Sequence, residues 1–338
     1  MRAERAAGTA PGPGRFVELE GGVLWIRLPI PGSLRHINVW LVPGRRGWFL
    51  VDTGMKTDDV REAWESLERV LPLGRDLESI VLTHHHPDHF GMARWLSERF
   101  EVGVAMTERA AAAAFASLQD DPPDRPSRSE GFAMRLGLSL DDETRAIMRG
   151  GMYRRIVSGA IEATPLTAGA SLGRDGDQWV VSIHEGHAPG HACLLNPSAG
   201  ILISGDQLLP SISSNISLYP SNEQGDPLGD YFASLDRLAA LDAETLILPA
   251  HGQPFRGPQV RIEALQREHR ERLDGIIDLC ERPASTEQIA ASLFGIERLD
   301  PLNRLLAATE TLAHLRFLEL RGQVARMGEG AAMRWHRG

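Results

Sequence analysis

The stretch Thr83 to Gly91, T-H-H-H-P-D-H-F-G, constrains the chain more than any other segment. Four histidines and one aspartate fall within six residues, directly after the strand-like run 79–82. Alternate side chains of an extended segment point to the same side, so His84 and His86 can project together. Pro87 then favours a turn over a continued strand. The sequence therefore predicts a strand that ends in a loop with a dense set of nitrogen and oxygen donors.

This pattern, His-x-His-x-Asp-His, offers enough donors in one loop for two metal ions, with Asp88 and His89 completing it after the turn. Imidazole and carboxylate ligands at this density favour zinc, iron or manganese over calcium or magnesium. A structural zinc site would be closed and would more often use cysteine, whereas a catalytic site keeps an open coordination position. The loop is therefore interpreted as part of a catalytic metal site.

Four further short motifs accompany this loop. They are V-D-T-G with Asp52, G-H-A-P-G-H with His191, S-G-D with Asp206, and P-A-H-G with His251. In this order the five elements resemble the metallo-β-lactamase superfamily, and together they span residues 52–252. The resemblance implies an α/β fold, the αββα metallo-β-lactamase sandwich, and a metal-dependent hydrolase. The alternation of strand and helix patterns before residue 106 also favours a layered α/β architecture.

The resemblance implies two metal ions held by seven side chains. One ion would take three histidines, the other an aspartate and two histidines, and one aspartate would bridge both: His84, His86 and His191; Asp88, His89 and His251; and Asp206. Two Zn²⁺ ions are expected, with iron or manganese as alternatives. A metal-bridging hydroxide would be the nucleophile, since metal binding lowers the pKa of water to about 7. Asp88 and Asp206 are the expected catalytic residues, and Asp88 would orient the nucleophile or pass a proton to the leaving group.

Two more residues are expected to support the ligands without binding metal. In the superfamily the aspartate of V-D-T-G usually hydrogen-bonds and orients the metal loop, and the resemblance gives this role to Asp52. Such a partner fixes a histidine tautomer and raises its basicity. The alternative for Asp52 is an ordinary turn aspartate at the end of a strand. His187, four residues before His191, is expected to support the site or to be a packed polar residue.

Residues 108–164 are predicted to form a helical insertion that carries several apolar and methionine side chains. Such insertions in the superfamily often wall or cap the active site, and an apolar cap would suit an acyl substrate. Met148, Met152 and Tyr153 are therefore candidates for substrate contact, as is Tyr219 in a later polar loop. The alternative is that these side chains only pack the structure together.

The chain is predicted to divide into a flexible N-terminus over 1–14, a catalytic domain over 15–255 and a C-terminal domain over 256–338. Three helical segments and a two-stranded hairpin in the last part resemble a winged helix. Its third helix, over 303–320, lacks a dense basic face. A structural or dimer-forming role is therefore favoured over nucleic-acid binding, and a homodimer is a candidate assembly.

Composition narrows the classes of partner and location. The formal net charge of −9 argues against a broad nucleic-acid-binding surface. No apolar run approaches the ~20 residues needed to span a bilayer, so no membrane partner is expected. The N-terminus lacks the apolar stretch of a secretory signal, and two distant cysteines do not suggest a disulfide framework. We therefore expect a cytoplasmic protein.

The expected activity is the hydrolysis of a small carbonyl substrate: an ester, a thioester or a lactone. β-Lactam hydrolysis is less favoured, because such enzymes are usually exported. The alternative is an endoribonuclease or other phosphodiesterase of the same superfamily, or a nucleic-acid-binding protein that acts through the winged-helix-like domain. A steep salt dependence of RNA binding would distinguish that alternative.

Overall fold

The computed structural model describes residues 4–5, 8–32, 34–119, 128–136, 138, 141–148, 151–295 and 298–338. In this part of the chain two seven-stranded sheets pack face to face, and a separate two-stranded sheet lies near the C-terminus. Helices cover the outer face of each large sheet. The predicted αββα sandwich is therefore confirmed.

The strands are numbered along the chain within the described ranges. They are β1 Glu4–Arg5, β2 Phe16–Glu18, β3 Leu24–Pro29, β4 His36–Pro43, β5 Trp48–Val51, β6 Leu77–Val81, β7 Gly103–Met106, β8 Thr164–Pro165, β9 Ser171–Arg174, β10 Asp177–His184, β11 His191–Asn196, β12 Ile201–Gly205, β13 Leu246–Pro249, β14 Phe255–Arg256, β15 Val324–Met327 and β16 Arg334–Arg337.

The α-helices are numbered in the same way. They are α1 Asp58–Glu68, α2 Leu73–Asp76, α3 Pro87–Phe90, α4 Ala93–Phe100, α5 Glu108–Leu118, α6 Arg128–Arg135, α7 Asp142–Met148, α8 Gly151–Arg155, α9 Pro227–Leu238, α10 Pro258–Leu279, α11 Thr286–Phe294 and α12 Pro301–Leu320.

The topology brings several loops to one edge of the sandwich. One sheet has the order β2-β3-β4-β5-β6-β7-β8 and the other β1-β14-β13-β12-β11-β10-β9. Strands β5, β6 and β7 are parallel neighbours, and so are β12 and β13. The carboxyl ends of parallel strands meet at the same edge of a sheet, which is where α/β proteins place their ligands. Asp52, Asp206 and His251 each follow such a strand end.

The interface between the sheets is filled by large apolar side chains. Trp25 and Trp40, on neighbouring strands, stack with ring centroids 6.2 Å apart, and Trp179 from the other sheet is buried in the same cluster. Asn38 bridges the two sheets. Its Nδ2 donates to the carbonyl oxygen of Pro249 at 2.8 Å, and its Oδ1 accepts from Trp25 Nε1 at 2.8 Å. A buried amide that satisfies its hydrogen bonds across the interface fixes how the sheets align.

Helix α1 illustrates how the outer layers form. Thr57 precedes it, and the Thr57 hydroxyl accepts a hydrogen bond from the backbone N–H of Val60 at 3.3 Å, as an N-cap residue does. Val60, Trp64 and Leu67 recur at helical spacing and are buried against the sheet. The Trp64 indole N–H donates to the carbonyl of Thr53 at 2.9 Å, which ties the helix to the segment that carries Asp52.

The N-terminal segment differs from its prediction. Glu4–Arg5 forms β1, an antiparallel edge strand on β14, within a region expected to be flexible. The reason is that β14 leaves backbone groups at the sheet edge that a short extended segment can pair with.

Helices α5 to α8 lie within the predicted insertion, and α6 packs on C-terminal residues. Phe132 and Leu136 are buried in one apolar cluster with Trp335. The Thr286 hydroxyl of α11 donates to the carbonyl of Leu136 at 3.4 Å. For Phe132 and Leu136, packing is therefore the observed role.

The C-terminal region contains the three predicted helices and the hairpin β15–β16. Its third helix, α12, is deeply packed: Thr309, Glu310, Thr311 and His314 are all buried. These polar side chains therefore face other parts of the protein. The winged-helix assignment itself stays a prediction. Within the described residues, no helix is long and apolar enough to cross a membrane.

Candidate metal centre

The metal loop takes its shape from a strand end and a short helix. After β6 the chain passes through His84 and His86, and α3 then begins at Pro87, a residue suited to the first helical position. The ring centroids of His84 and His86 lie 4.5 Å apart, and those of His84 and His89 lie 4.0 Å apart. Gly91 permits this tight turn, because a Cβ there would lie 2.6 Å from the carbonyl oxygen of Gly54.

One group of potential ligands consists of His84, His86, His187 and Asp206, with one donor atom from each within 4.8 Å of the others. Nε2 of His187 lies 3.2 Å from Nε2 of His84 and 3.3 Å from Oδ2 of Asp206. These separations match the spacing of ligand atoms around one ion with metal–ligand bonds of about 2.0–2.2 Å.

A second group consists of Asp88, His89 and His251, again within 4.8 Å. Oδ2 of Asp88 lies 3.3 Å from Nε2 of His251 and 3.6 Å from Nε2 of His89. The other oxygen of Asp206, Oδ1, lies 3.4 Å from His251 Nε2 and 3.5 Å from His89 Nε2. Asp206 therefore presents one oxygen to each group.

The structure exchanges the predicted places of His187 and His191. His187 lies in the first ligand group, where His191 was expected. His191 instead accepts a hydrogen bond at Nε2 from the backbone N–H of Asp206 at 3.1 Å, so that lone pair is already engaged. Its ring lies against Gly205, where a Cβ would come within 2.7 Å of Nε2. The prediction that His191 binds metal and His187 supports it therefore disagrees with the geometry.

Asp52 contacts the metal loop through both of its carboxylate oxygens. Its Oδ1 accepts from the backbone N–H of Thr83 at 2.9 Å, and its Oδ2 lies 2.7 Å from Nδ1 of His89. A proton on Nδ1 leaves Nε2 of His89 free to face the second group. Asp52 has a left-handed φ of 62°, a conformation that aspartate adopts more readily than most residues.

Two backbone carbonyls that the sequence analysis missed orient other histidines. Nδ1 of His251 lies 2.9 Å from the carbonyl of His36, and Nδ1 of His187 lies 2.9 Å from the carbonyl of Asn215. Both contacts direct Nε2 into the ligand groups, since a ring nitrogen that donates to a carbonyl fixes the tautomer. No sequence pattern reveals these carbonyls, because any residue type supplies one.

The ionisable groups of the site shift one another's pKa values. Burial disfavours a charged imidazole, yet the carboxylates of Asp206 and Asp88 raise the pKa of His251 to about 10. Burial likewise opposes ionisation of Asp206, but His251 and His89 hold the pKa of that carboxyl well below its usual value. Burial of His84, and to a lesser extent the neighbouring histidines, lower the pKa of its imidazole well below the ordinary value. The carboxylates at the second group therefore favour the binding of a cation.

The donor atoms fit metal ions. Among the described residues, Nε2 of His89 and Oδ1 of Asp206 are buried side-chain atoms without a hydrogen-bond partner. They lie 3.5 Å apart, beyond the usual length of a hydrogen bond. Leaving both unpartnered would cost roughly 1–3 kcal/mol each, and an ion between them would remove that penalty. Imidazole and carboxylate donors of this kind suit zinc, iron and manganese.

Two of the four predicted substrate residues, Tyr153 and Tyr219, have described side chains. The hydroxyl of Tyr153 donates to the carbonyl of His85 at 2.6 Å, which places this residue against the metal loop. Tyr219 lies beside Ser217 and Glu310, and burial raises the pKa of its phenol. Met148 and Met152 belong to α7 and α8, but their side chains lie outside the described part of the structure.

A third buried group, His269, Glu310 and His314, is held mainly by protein contacts, although Nε2 of His269 is a buried atom without a hydrogen-bond partner among the described residues. Nδ1 of His269 lies 3.0 Å from Nε2 of His314, and one Glu310 oxygen accepts from Arg272 at 2.8 Å. Burial, followed by the influence of His314 and Arg272, lowers the pKa of His269 to about 2. A guanidinium beside the carboxylate disfavours a metal ion, so we treat this group as structural.

Two family models match the chain. The model described as metallo-beta-lactamase superfamily matches residues 32–251. The model described as metallo-beta-lactamase-like, C-terminal domain, matches residues 273–337. The first covers every residue of both ligand groups.

Individual proteins agree with these matches. A probable metallo-hydrolase, YqjP of Bacillus subtilis, is 30% identical over 317 residues, which cover 91% of this chain and 95% of YqjP. The bovine protein named acyl-coenzyme A thioesterase MBLAC2 is 27% identical over 247 residues, 70% of this chain and 80% of that protein. The crystal structure of a beta-lactamase domain protein from Burkholderia ambifaria is 34% identical, with a TM-score of 0.88 and coverage of 98% of this chain and 97% of the other.

Proposed function

The chain belongs to the metallo-beta-lactamase superfamily and is a metal-dependent hydrolase, and we propose that it uses two divalent ions to hydrolyse a small ester, thioester or lactone. The observation that carries this proposal is the position of Asp206. Its Oδ2 lies 3.3 Å from His187 in one ligand group, and its Oδ1 lies 3.4 Å from His251 in the other. A carboxylate shared in this way suits a pair of ions better than a single ion.

Different residues would hold each of the two proposed ions. His84, His86 and His187 would hold one ion, Asp88, His89 and His251 the other, and Asp206 both. Zinc is the proposed metal, and iron or manganese would suit the same donors. When bound, such ions supply an activated water nucleophile and polarise the carbonyl that it attacks.

Asp88 is the residue proposed to handle protons. Its side chain is 14% exposed, compared with 9% for Asp206, so it is the carboxylate of the site with more access to solvent. His251 lies 3.3 Å from Asp88 Oδ2 and helps hold the carboxylate ionised. From this position Asp88 would orient the attacking water and pass a proton to the leaving group.

Two arguments favour esters and thioesters as the substrate class. Thioesters and esters have a reactive carbonyl that needs no further activation beyond a cation and an ordered water. The relative MBLAC2 carries the name of an acyl-coenzyme A thioesterase, which favours thioesters within this class. We therefore propose acyl thioesters as the first substrates to examine.

The test combines metal content with turnover. Protein purified with zinc is analysed for bound metal and assayed on acyl thioesters, p-nitrophenyl esters, acyl-homoserine lactones, nitrocefin and a phosphodiester. His86→Ala and Asp206→Ala are compared with His336→Ala, which replaces a histidine on β16 that belongs to neither ligand group. We expect two ions per chain, with carbonyl hydrolysis lost in the first two variants and kept in the third.

Other results would contradict the proposal in separable ways. Cleavage of the phosphodiester alone would replace the carbonyl substrate by a nucleic-acid-type substrate. Fewer than one ion per chain in zinc-supplied protein would overturn the assignment of the ligands.

A further inference from the structure

The ring of His187 is oriented by a loop and not by a strand. Its Nδ1 lies 2.9 Å from the carbonyl oxygen of Asn215, so a proton on Nδ1 directs the Nε2 lone pair towards Asp206. Histidines that bind metal usually donate their second N–H in this way, and the acceptor affects metal affinity. The position of Asn215 therefore matters to the first ligand group.

Asn215 is in turn held by the C-terminal region through its side chain. Its Nδ2 donates to Oε2 of Glu310 at 3.0 Å, and its Oδ1 accepts from the hydroxyl of Ser217 at 2.5 Å. The Ser217 hydroxyl also lies 2.9 Å from that of Thr309, and the backbone N–H of Leu218 donates to the carbonyl of Thr309 at 3.0 Å. Two adjacent residues of α12 thus fix the loop that carries Asn215.

Glu310 is itself firmly placed. It is buried, and its Oε1 accepts from Arg272 of α10 at 2.8 Å. Arg272 also binds Glu268 at 2.6 Å, which holds the guanidinium in position. Burial raises the pKa of Glu310 to about 7, while Arg272 and the Asn215 hydrogen bond oppose the rise. The charge-assisted contact with Arg272 leaves the second oxygen of Glu310 aimed at Asn215.

We propose that Glu310 is a positioning residue of the metal centre, which through Asn215 orients His187 and makes the C-terminal region part of the ion-binding site. The proposal rests on the proposed dinuclear function, because it assumes that His187 is a ligand. It assigns α12 a role in metal binding in addition to its packing role. Each link in the chain from Glu310 to His187 is a hydrogen bond of 3.0 Å or less.

The test measures metal affinity and not only activity. Zinc is titrated into metal-free protein in competition with a chromophoric chelator, and the visible spectrum of the Co²⁺-loaded protein reports the ligand geometry. The variants are Glu310→Ala, Asn215→Ala and the double variant, since two residues that act through one contact give non-additive losses. Glu319→Ala is the matched control, because Glu319 is also a carboxylate of α12 but pairs with Arg316 and Arg326 and not with Arg272 or Asn215.

We expect each single variant to bind one of the two ions about tenfold or more weakly and to change the Co²⁺ spectrum. The double variant should bind that ion no more weakly than the single variant with the lower affinity. Glu319→Ala should retain both affinities. If Glu310→Ala does not fold, Asn215→Ala decides the question alone, because it removes only a partly exposed side chain and keeps the carbonyl.

Two results would overturn the inference. The first is that folded Asn215→Ala and Glu310→Ala proteins bind both ions within about twofold of the wild type. The second is that Glu319→Ala shows the same loss, which would indicate general loosening of α12. Failure of the wild type to bind two ions would instead contradict the proposed function, so the two failures are distinguishable.

Discussion

The backbone N–H of Asp206 donates a hydrogen bond to Nε2 of His191 across 3.1 Å. His191 thus fixes the main chain of the residue that faces both ligand groups, and it does so with the nitrogen that a metal would need. The arrangement explains how a histidine beside the centre can matter to it without being a ligand.

The two histidines of G-H-A-P-G-H should therefore behave differently when replaced. We expect His187→Ala to bind about one ion per chain and to lose at least ~100-fold in kcat/KM, because a ligand is gone. His191→Ala should still bind two ions, with affinity lowered about 10- to 100-fold, since only a supporting contact is lost. Metal analysis of dialysed protein and chelator competition check both values. A His191→Ala protein with one ion, beside a His187→Ala protein with two, would restore the assignment made from the sequence.

Replacement of Asp52 should lower metal affinity, although Asp52 is not a proposed ligand. Replacing it with asparagine removes the charge that faces His89 Nδ1 at 2.7 Å, while the amide keeps one acceptor oxygen and suits the left-handed backbone. We expect metal affinity to fall by about 10- to 100-fold with little loss of folding. Asp58→Asn, at an exposed aspartate paired with Arg61, is the control and should bind metal normally. Equal affinities in the two variants would contradict the supporting role.

Tyr153 offers a test of structural against substrate roles. Its hydroxyl donates to the carbonyl of His85, so Tyr153→Phe should lower the free energy of unfolding by about 1 kcal/mol and kcat/KM by less than about tenfold. Urea unfolding and steady-state kinetics supply the two values. A loss of about 100-fold in kcat/KM at unchanged stability would instead indicate that the phenol contacts the substrate.

The pH dependence of stability should carry a contribution from Glu310. Burial raises its folded-state pKa from an ordinary value of 4.5 to about 7, so the folded state holds a proton that the unfolded state loses between these values. The stability that this group contributes is present below about pH 4.5 and is lost as the pH rises through about 7. Arg272, Asn215, His269 and His314 surround the Glu310 carboxylate, and Tyr219 and Glu268 act on it as nearby titratable groups.

Urea unfolding of metal-free wild type and Glu310→Gln between pH 4.5 and pH 8 measures this contribution. We expect the wild type to lose stability relative to the variant as the pH rises, by at most about 3 kcal/mol, since one pKa unit corresponds to about 1.4 kcal/mol. A difference between the two proteins that stays constant across the range would show that Glu310 titrates normally.

The sequence predicted much of the centre because its donors lie in short motifs. Within His84–His89, the strand, the proline and the helix start fix the side chains locally, so no distant contact is needed to foresee the grouping. Asp206 and His251 follow strand ends, where the layered fold itself brings them to the same edge. The identity of all these residues as ligands still stays a prediction.

The choice between His187 and His191 could not be made in that way. They are four residues apart, separated by Pro189 and Gly190, and either could have reached the ions. The ring of His191 lies against the Asp206 amide because it fits in the space beside Gly205. Only the folded structure defines that space. Glu310 was missed for a related reason, since 95 residues separate it from Asn215.

The contact between Leu136 and Thr286 joins segments 150 residues apart. Chains are synthesised from the N-terminus at about 5–20 residues per second, so roughly 8–30 seconds of translation separate the two partners. During that interval the apolar side chains of α6, among them Phe132, have yet to meet the helices that bury them. A nascent chain of this protein should therefore recruit chaperones over residues 128–136 until the segment containing Thr286 has left the ribosome.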